Sequence, residues 1–475
     1  MNSHNDMLQV AVVGHTNAGK TSLMRTLARD QSFGAVSPSP ATTTEVASVK
    51  LQAGGEELAD FRDTPGLEDP IGLLEFIDDL RTDRRDDGPS LIERFLGTPE
   101  AGGIFAGEAK ALRQARIADI VLYVVDARDR VLPRHSDELE LLARCGRPVL
   151  PVMNFIADES TRGEAWRDAL ARLGLHATTG FDTVVFDAED EQRLFEAMSV
   201  LVNEHRPALT RLIKDRIRRR GRSIERASRA VAELLVDAAS HVEPVEASSS
   251  ESDSTRGAEV LRAESTMQQL LREHEAMTHQ AIFAAFEFAD GDPSKLMLEC
   301  TDGRLGIDLF SREAVRQAGI SAMAGAAGGA ASGAAIDLAV GGMSLGAASL
   351  LGAIVGGTLG TTASQSRRLV RKVRGANDLH VGDVVLQLLL ARSLDLILSL
   401  MRRGHAHVES VSIAPRTLDG VFTREILQLL KRARSHPSWS GVGRSPNQGS
   451  DRQRSVDRVT RCVEKRIETL ARGTD

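Results

Sequence analysis

Aromatic residues and cysteines are both scarce in this chain of 475 residues. The 14 Phe, 2 Trp and 1 Tyr leave few rings for stacking on nucleic-acid bases. The 3 cysteines, Cys145, Cys300 and Cys462, lie far apart without a CxxC pair, which disfavours a disulfide framework and a zinc site. We therefore expect reduced thiols and a cytoplasmic protein. The N-terminus has no long apolar run behind a basic start, so no secretory signal is expected.

The chain also lacks a strong excess of either charge. Lys and Arg total 59 against 66 Asp and Glu, and the net charge of -7 excludes a globally basic nucleic-acid binder. This balance hides a basic end, because residues 364–475 hold 21 Lys and Arg but only 11 Asp and Glu. With 42% hydrophobic and 26% charged residues, wholesale disorder is ruled out.

Short apolar runs alternate with helical patterns over about the first 200 residues. The predicted strands are 8–13, 46–51, 58–63, 120–126, 149–154 and 183–186, and the clearest predicted helices are 21–28, 108–118 and 136–143. This alternation predicts an α/β fold of three layers with a mainly parallel sheet. The C-terminal half that follows is predicted to be mostly α-helical.

Composition divides the chain further. We predict an α/β domain over 1–205, a basic helical connector over 206–242, and a polar linker over 243–257. A helical domain over 258–435 contains the Gly/Ala-rich segment 317–366. A basic, partly disordered tail covers 436–475, with the disorder expected from Ser435 to Ser455.

The residues from Gly14 to Thr21, GHTNAGKT, fit G-x-x-x-x-G-K-[S/T] between a predicted strand and a predicted helix. The glycines let backbone N–H groups curl around phosphate oxygens, and the helix N-terminus adds its positive dipole. Lys20 supplies positive charge to the β- and γ-phosphates, and the Thr21 hydroxyl is a Mg²⁺ ligand. The predicted nucleotide-binding residues of this loop are Gly14, Asn17, Ala18, Gly19, Lys20, Thr21 and Ser22.

A second motif, Asp63-Thr64-Pro65-Gly66, ends another predicted strand. An Asp at this place can reach the Mg²⁺ shell, usually through water, and the Gly66 N–H can sense the γ-phosphate. Alone, the pattern D-x-x-G is typical of a turn. Here Asp63 lies 43 residues after Lys20, with a threonine-rich loop between them, and this spacing strengthens its assignment as the second motif of the nucleotide site.

Between these motifs lies the threonine-rich loop 40–44, PATTT, whose hydroxyls could close over Mg²⁺ and the γ-phosphate. We predict Thr43 as the switch threonine, with Thr42 as the alternative; an ordinary polar loop is the other interpretation. The predicted catalytic residues are therefore Lys20, Thr43 and Gly66. The predicted Mg²⁺ ligands are Thr21, Thr43 and Asp63.

The runs GHTNAGKTSL, ATTTE and DTPGLED resemble translation-factor-type GTPases of the Era and tRNA-modification-GTPase branch. This resemblance covers residues 7–200, and the whole chain resembles bacterial Era-like GTPases with a long C-terminal domain of unknown function. It implies that the α/β domain over 1–205 is a P-loop NTPase G domain. It also implies GTP and GDP as ligands, Mg²⁺ as cofactor, and hydrolysis of GTP to GDP and phosphate as a molecular switch.

The chain departs from that family at the base-recognition motif NKxD. It reads Asn154-Phe155-Ile156-Ala157-Asp158, so Phe155 replaces the lysine and Ala157 takes the place of the aspartate. Asn154 and Asp158 are predicted to bind the nucleotide, Asp158 after a shift of one residue, and Phe155 could stack on the base. The fifth family motif is matched, weakly, by Asp187-Ala188.

Hydrolysis cannot use the glutamine of Ras-like enzymes, because Leu67 follows the D-x-x-G motif here. Turnover is therefore expected to be slow without a cation or a partner. In potassium-responsive relatives, an Asn at the position of Asn17 helps to hold K⁺ against the phosphates. The resemblance thus implies Asn17 as a K⁺ ligand, while a hydrogen bond within the loop is the alternative.

The segment 319–360 holds 12 Gly and 12 Ala, with glycines repeating every four residues at 325, 329 and 333 and at 352, 356 and 360. On a helix each set forms a flat strip, a glycine zipper, that allows close backbone approach. We consider peripheral or integral association with the cytoplasmic membrane, with lipid contacts through 317–374, and tight packing in solution as the two main interpretations.

Two function classes compete with a GTPase switch whose helical half is an effector or membrane module. One is a nucleotide-gated membrane scaffold with incidental turnover. The other is an RNA or ribosome-assembly GTPase, with RNA bound through basic residues 206–229 and the C-terminal tail. An unknown protein effector and a second copy of the chain, as a homodimer, complete the expected partners.

Overall fold

The computed structural model describes residues 7–29, 47–158, 160–184, 186–245, 253–288, 300–301, 304–305, 378–402 and 422–472. The chain forms two compact units, Met1–Arg220 with Met401–His407, and Gly221–Leu400 with Val408–Asp475. The first unit extends past residue 205, the predicted end of the G domain. It does so because helix α8 (Arg206–Ser240) places Leu209 and Leu212 in the core of that unit.

The first unit contains a six-stranded sheet in the order β2-β3-β1-β4-β5-β6. Its strands are β1 (Leu8–Val13), β2 (Ala47–Ala53), β3 (Glu56–Asp63), β4 (Ile120–Asp126), β5 (Val149–Asn154) and β6 (Thr179–Gly180). Strand β2 is antiparallel to β3, and every other pair is parallel. The central strand β1 therefore carries its C-terminal loop between β3 and β4, at the edge where parallel sheets bind ligands.

Helices cover both faces of this sheet. They are α1 (Lys20–Ala28), α2 (Pro70–Asp79), α3 (Gly88–Leu96), α4 (Ala106–Ile117), α5 (Pro133–Ala143), α6 (Gly163–Arg172) and α7 (Ala188–Leu201). Along β1, Leu8, Val10 and Val12 pack with α1, α7 and α8, whereas Ala11 and Val13 pack with α2 to α6. Successive side chains of β1 point to opposite faces of the sheet and thus contribute to two separate hydrophobic cores. The predicted three-layer α/β fold is confirmed.

The sequence located five of the six strands. The sixth was predicted at 183–186, but the strand beside β5 is Thr179–Gly180, which pairs with Val152 and Met153. This prediction was wrong because the true strand has only two residues, too few for any apolar pattern. The apolar residues that suggested a strand, such as Phe186, pack instead against the core from a loop.

The second unit is mainly helical, as predicted. Besides the rest of α8 it contains α9 (Asp253–Ala285), α10 (Asp383–Met401), α11 (Arg424–Arg434) and α12 (Ser450–Arg472), with most of α10 before residue 401. Its short strands are β7 (Val242–Pro244), β8 (Cys300–Thr301), β9 (Arg304–Leu305) and β10 (Asp378–His380), and β7 pairs antiparallel with β10. A buried ion pair joins two of the helices, with Asp237 Oδ1 of α8 2.6 Å from Arg452 Nη2 of α12.

Two stretches expected to be irregular are helical. Helix α9 begins at Asp253, inside the predicted linker 243–257. The tail holds α12, whose Val456, Val459, Val463 and Ile467 are fully buried. The disorder expected from Ser435 to Ser455 was therefore wrong. Pro437–Trp439 forms a 3-10 helix, Trp439 and Val442 are buried, and α12 begins at Ser450 and buries its apolar face.

The Gly/Ala-rich segment 317–366 and the wider lipid-contact region 317–374 lie outside the described residues, as does the switch loop with Thr42 and Thr43. Among the residues that are described, no helix has the length and apolarity needed to cross a bilayer.

Candidate nucleotide-binding site

The loop after β1 is shaped by two glycines that no other residue could replace. Gly14 has φ +152, and a Cβ there would lie 2.2 Å from the Val124 carbonyl oxygen. Gly19 has φ +91, and its Cβ would lie 2.1 Å from Asn154 Nδ2. Gly19 also caps α1 without a side-chain hydrogen bond. The first N–H groups of α1 are thus left for an external acceptor, which suits a phosphate.

Lys20, the first residue of α1, is buried and held across this loop. Its Nζ donates to the carbonyl oxygens of Gly14 at 2.9 Å and His15 at 3.0 Å. Burial lowers the pKa of Lys20, while the nearby carboxylates of Asp63 and Glu138 act in the opposite direction. The structure thus places a buried cation inside the predicted phosphate loop.

The next residue, Thr21, meets the end of β3. Its hydroxyl donates to Asp63 Oδ2 at 2.6 Å, although the two residues lie on different elements. Asp63 is 1% exposed, and its other oxygen, Oδ1, is buried with no hydrogen-bond partner among the described residues. Burial raises the pKa of Asp63, and the hydrogen bond from Thr21 and the charge of Lys20 lower it by a smaller amount. A buried carboxylate oxygen without a partner, beside a threonine hydroxyl, is a donor set that fits Mg²⁺.

The loop after Asp63 lies against the phosphate loop. Thr64 fixes it to β1, because its hydroxyl donates to the Val12 carbonyl oxygen at 2.8 Å. A Cβ on Gly66 would lie only 3.0 Å from Thr16 Oγ1 and 3.5 Å from the Gly14 carbonyl oxygen. Leu67, which follows, is fully buried in the core. Its side chain therefore cannot contact an attacking water.

Glu108, which the sequence did not single out, holds this loop from α4. Its Oε1 accepts from the backbone N–H groups of Glu68 and Asp69, both at 3.1 Å, and the residue is only 5% exposed. The Asp69 side chain in turn accepts from Gly72 and caps α2. Glu108 thus fixes both the loop after Gly66 and the start of α2. No sequence pattern could reveal this contact, since it joins residues about forty positions apart.

A second missed acid lies behind the phosphate loop. Glu138 of α5 is fully buried, accepts from the Tyr123 hydroxyl at 2.6 Å, and lies 3.5 Å from His15 Nδ1. Because it also acts on Lys20 through its charge, it belongs to the electrostatics of the site. In the sequence it is one Glu of an ordinary amphipathic helix.

Asn154, at the end of β5, ties three parts of the site together. Its Nδ2 donates to the Ala18 carbonyl oxygen at 3.0 Å, and its Oδ1 accepts from the N–H and hydroxyl of Thr183 at 3.0 and 3.1 Å. Asp187 caps α7, with its side chain accepting from the Glu189 N–H. The weak match of the fifth motif to Asp187-Ala188 stays a prediction. The residue that meets Asn154 is Thr183, in a loop that carries no distinctive pattern.

Phe155 and Asp158 follow Asn154 on an exposed loop. Phe155 has φ +57, and the Arg128 guanidinium lies 3.9 Å from the centre of its ring. The Asp158 carboxylate accepts from the Ser160 N–H at 2.8 Å and the Ser160 hydroxyl at 2.6 Å, and these bonds lower its pKa. Its role in nucleotide binding, like that of Asn154, stays a prediction.

The remaining predicted residues lie on the phosphate loop itself. Asn17 has φ +68, and its side chain is exposed. Ala18 is buried and turns its carbonyl toward Asn154, whereas the Ser22 carbonyl accepts from the Thr26 hydroxyl at 3.0 Å. The structure therefore brings together the described predicted residues Gly14 to Ser22, Asp63, Gly66 and Asn154. It leaves Asp158 on the neighbouring loop.

Two families match this chain. The model described as a domain of unknown function, DUF3482, matches residues 167–461, more than half of the chain. The chain belongs to the DUF3482 family. The model of the 50S ribosome-binding GTPase family matches residues 9–155, which contain the phosphate loop and the D-x-x-G loop. The predicted Era-like P-loop GTPase domain followed by a domain of unknown function is thereby confirmed.

Curated relatives match the GTPase part of this DUF3482 protein. GTPase Der of a Nitratiruptor species is 27% identical over 162 residues, 34% of this chain and 28% of that protein. The tRNA modification GTPase MnmE of a Chelativorans species is 32% identical over 149 residues, 31% of this chain and 25% of that protein. The chain thus spans less than a third of the length of these two relatives.

Solved structures include Era in complex with MgGDPNP and a segment of 16S ribosomal RNA, at 19% identity and a TM-score of 0.31. That alignment covers 42% of this chain and 58% of Era.

Proposed function

We propose that this protein is a Mg²⁺-dependent GTP hydrolase that acts as a molecular switch. The observation that carries the proposal is the contact between Thr21 and Asp63 at 2.6 Å, with Lys20 beside it and Asp63 Oδ1 buried without a hydrogen-bond partner among the described residues. A hydroxyl, a carboxylate and a lysine at the N-terminus of one helix are what a nucleoside triphosphate with its metal ion requires. The match to the GTPase family supports guanine as the base.

Each group in the site has a distinct part in the proposed reaction. The loop N–H groups and the N-terminus of α1 bind the phosphates, and Lys20 exchanges its bonds to Gly14 and His15 for the β- and γ-phosphate oxygens. Thr21 and Asp63 would hold Mg²⁺, the latter through water. When bound, the ion neutralises charge that develops on the phosphate oxygens.

Hydrolysis in this scheme is an attack by water on the γ-phosphorus. The bond from phosphorus to the β–γ bridging oxygen breaks, and GDP, phosphate and a proton are the products. In this proposal the Gly66 N–H binds the γ-phosphate, which is supported by the position of Gly66 against the phosphate loop. Leu67 is fully buried and cannot orient the water. Turnover is therefore slow until a cation or a partner positions the water.

The helical C-terminal half is the proposed output of the switch. Helix α8 begins within the first unit, and its Arg216 donates to the Leu27 carbonyl oxygen of α1 at 2.6 Å. Arg216 Nε also lies 3.2 Å from Glu191 of α7. Leu27 lies near the end of α1, the helix that starts at the phosphate loop, so α8 is in direct contact with an element expected to respond to the nucleotide.

Several basic residues of α8 are engaged by acids rather than left free for RNA. Arg211 lies 2.7 Å from Glu56, Arg219 2.6 Å from Asp215, and Arg229 3.3 Å from Glu233. These pairs reduce the net positive field of residues 206–229. The partner that we propose for this helix is a protein effector, with RNA as the alternative.

Release of phosphate from GTP by the full-length chain tests the proposed function. Lys20→Ala should abolish GTP binding and turnover, because it removes the buried cation of the phosphate loop. Lys50→Ala is the matched control, since Lys50 is an exposed lysine paired with Glu57 on β3. Equal turnover in the Lys20 variant and the wild type would refute the proposal, as would equal loss in both variants.

A further inference from the structure

The base-recognition loop holds an aromatic ring in an unusual backbone conformation. Phe155 has φ +57, a left-handed conformation that bulky residues rarely adopt. Asn154 stabilises it, because Asn154 Oδ1 accepts from the Phe155 N–H at 2.9 Å. Strained residues of this kind cluster at ligand sites, where the surrounding structure maintains them.

This conformation places the ring against the phosphate loop. Its Cζ lies 3.4 Å from the point where a Cβ on Gly19 would stand, one residue before Lys20. The Arg128 guanidinium covers the ring at 3.9 Å from its centre. Arg128 is itself fixed by Asp126, with Nε 2.9 Å from Oδ1 and Nη2 2.6 Å from Oδ2. Phe155 is only half-buried, although the Gly19 backbone and Arg128 both lie against its ring.

Among the described residues of this loop, none places a carboxylate where the family has its aspartate. Ala157 has only a methyl group, and its N–H donates to Asp182 Oδ2 at 3.0 Å. The Asp158 carboxylate is bonded to Ser160 and lies 3.9 Å from Arg128 Nη1. Asp182 is buried, and its Oδ1 accepts from the Val184 N–H at 2.8 Å. Asp182 thus uses both of its oxygens within the fold, whereas Asp158 uses Oδ1 for Ser160 and has Oδ2 within ion-pair distance of Arg128.

We propose that the purine base stacks on the platform formed by Phe155 and Arg128, and that stacking replaces hydrogen bonds to a carboxylate as the main contact with the base. This inference rests on the proposed function, since it assumes a nucleoside triphosphate in the phosphate loop. Aromatic stacking tolerates different bases because every base has a π-face. Hydrogen-bonded sites, by contrast, reject analogues that lack the partner group by about 10⁴- to 10⁵-fold.

The consequence is weak discrimination among purine nucleotides. GTP, ITP and ATP share the ring system and the triphosphate, but only guanine carries the 2-amino group and only adenine lacks the N1 hydrogen. We expect ITP to bind the full-length wild-type chain within about threefold of GTP, and ATP within about tenfold, since stacking differs little among purines. A carboxylate-based site would separate GTP from ATP by about a thousandfold or more.

Competition binding with these three nucleotides tests the platform, with two variants as opposite probes. Phe155→Leu should weaken all three about tenfold, because leucine keeps the packing against Gly19 but removes the stacking ring. Ala157→Asp should restore selectivity, lowering ATP affinity relative to GTP by at least about thirtyfold. Ala157 is exposed, so this change does not disturb a core.

The outcomes separate this inference from the proposed function. If the wild type binds no nucleoside triphosphate, the proposed function itself fails. If GTP binds but ATP is weaker by about a thousandfold or more, the platform is wrong and the GTPase assignment stands. A loss of GTP binding in Asp158→Asn that spares ATP would likewise overturn it, by showing that Asp158 reads guanine.

Discussion

Removing the Glu108 carboxylate should loosen the loop that follows Gly66. In the wild type, Glu108 Oε1 accepts from two backbone N–H groups, those of Glu68 and Asp69, at 3.1 Å each. A hydrogen bond to a charged acceptor contributes about 1.5–3 kcal/mol. Both residues are exposed, so water replaces part of this loss when the carboxylate is removed. We therefore expect Glu108→Ala to destabilise the closed loop by about 2–3 kcal/mol in total.

Hydrogen exchange measures this change directly. A cost of about 2–3 kcal/mol raises the population of the open loop by roughly 30- to 150-fold, and the exchange rates of the Glu68 and Asp69 amides should rise by the same factor. Glu108→Gln is the matched control, because its amide oxygen still accepts from both N–H groups. Exchange in that variant should stay much nearer to the wild type.

Glu108→Ala should also affect GTP turnover and GDP affinity differently. Gly66 is expected to contact only the γ-phosphate, so Glu108→Ala should slow GTP turnover about tenfold while leaving GDP affinity unchanged. Unchanged exchange at Glu68 and Asp69 in Glu108→Ala would refute the assigned contact. An equal loss of GDP and GTP affinity would show instead that Glu108 supports the whole fold rather than the loop.

Three further predictions concern a cation, a thiol and a histidine. GTP turnover by the wild type should be faster in K⁺ than in Na⁺, and this difference should disappear in Asn17→Ala. Equal turnover rates of the wild type in the two salts would contradict a K⁺ site. Burial raises the pKa of Cys145 to about 12, so iodoacetamide at mildly alkaline pH should not modify Cys145 until denaturant is added. The half-buried Cys462 should be modified before Cys145. Equal rates of modification at the two thiols, measured by mass spectrometry, would contradict this difference in burial. Burial lowers the pKa of His241 from 6.5 to about 4. The unfolded chain therefore binds a proton between these two pKa values that the folded chain does not, and exchange protection around β7 should fall as the pH drops through this range. His241→Asn should flatten that dependence, and an unchanged pH profile would argue against it.

Local patterns were sufficient for most of the first unit. Strands β4 and β5 have the predicted bounds because each is a continuous apolar run that is buried on both faces. The phosphate loop could be located because its chemistry requires particular residues at fixed spacing, with Gly14 and Gly19 at positions where a Cβ would clash. The two motifs predicted Thr21 and Asp63 as ligands of one Mg²⁺ ion, and the two side chains are in contact in the structure.

Contacts between distant segments could not be read from the sequence. Arg128 reaches Phe155 from the loop after β4, and Thr183 meets Asn154 from a loop without a recognisable motif. Both depend on the order of strands in the sheet, which places the C-terminal end of β5 between those of β4 and β6. The helix α12 was missed for a different reason: polar and Arg-rich composition hid its buried valines, whose spacing is helical.

The central claim is that Thr21 and Asp63 form the Mg²⁺ part of a nucleotide site, and the dependence of GTP affinity on Mg²⁺ tests it most directly. Titration of the full-length chain with GTP, in Mg²⁺ and in EDTA, should show affinity at least about tenfold higher with the metal. Thr21→Val should lose that gain, whereas Thr26→Val should keep it, because the Thr26 hydroxyl donates to the Ser22 carbonyl oxygen within α1. The same affinity with and without Mg²⁺ in the wild type, or an undiminished Mg²⁺ effect in Thr21→Val, would contradict the account.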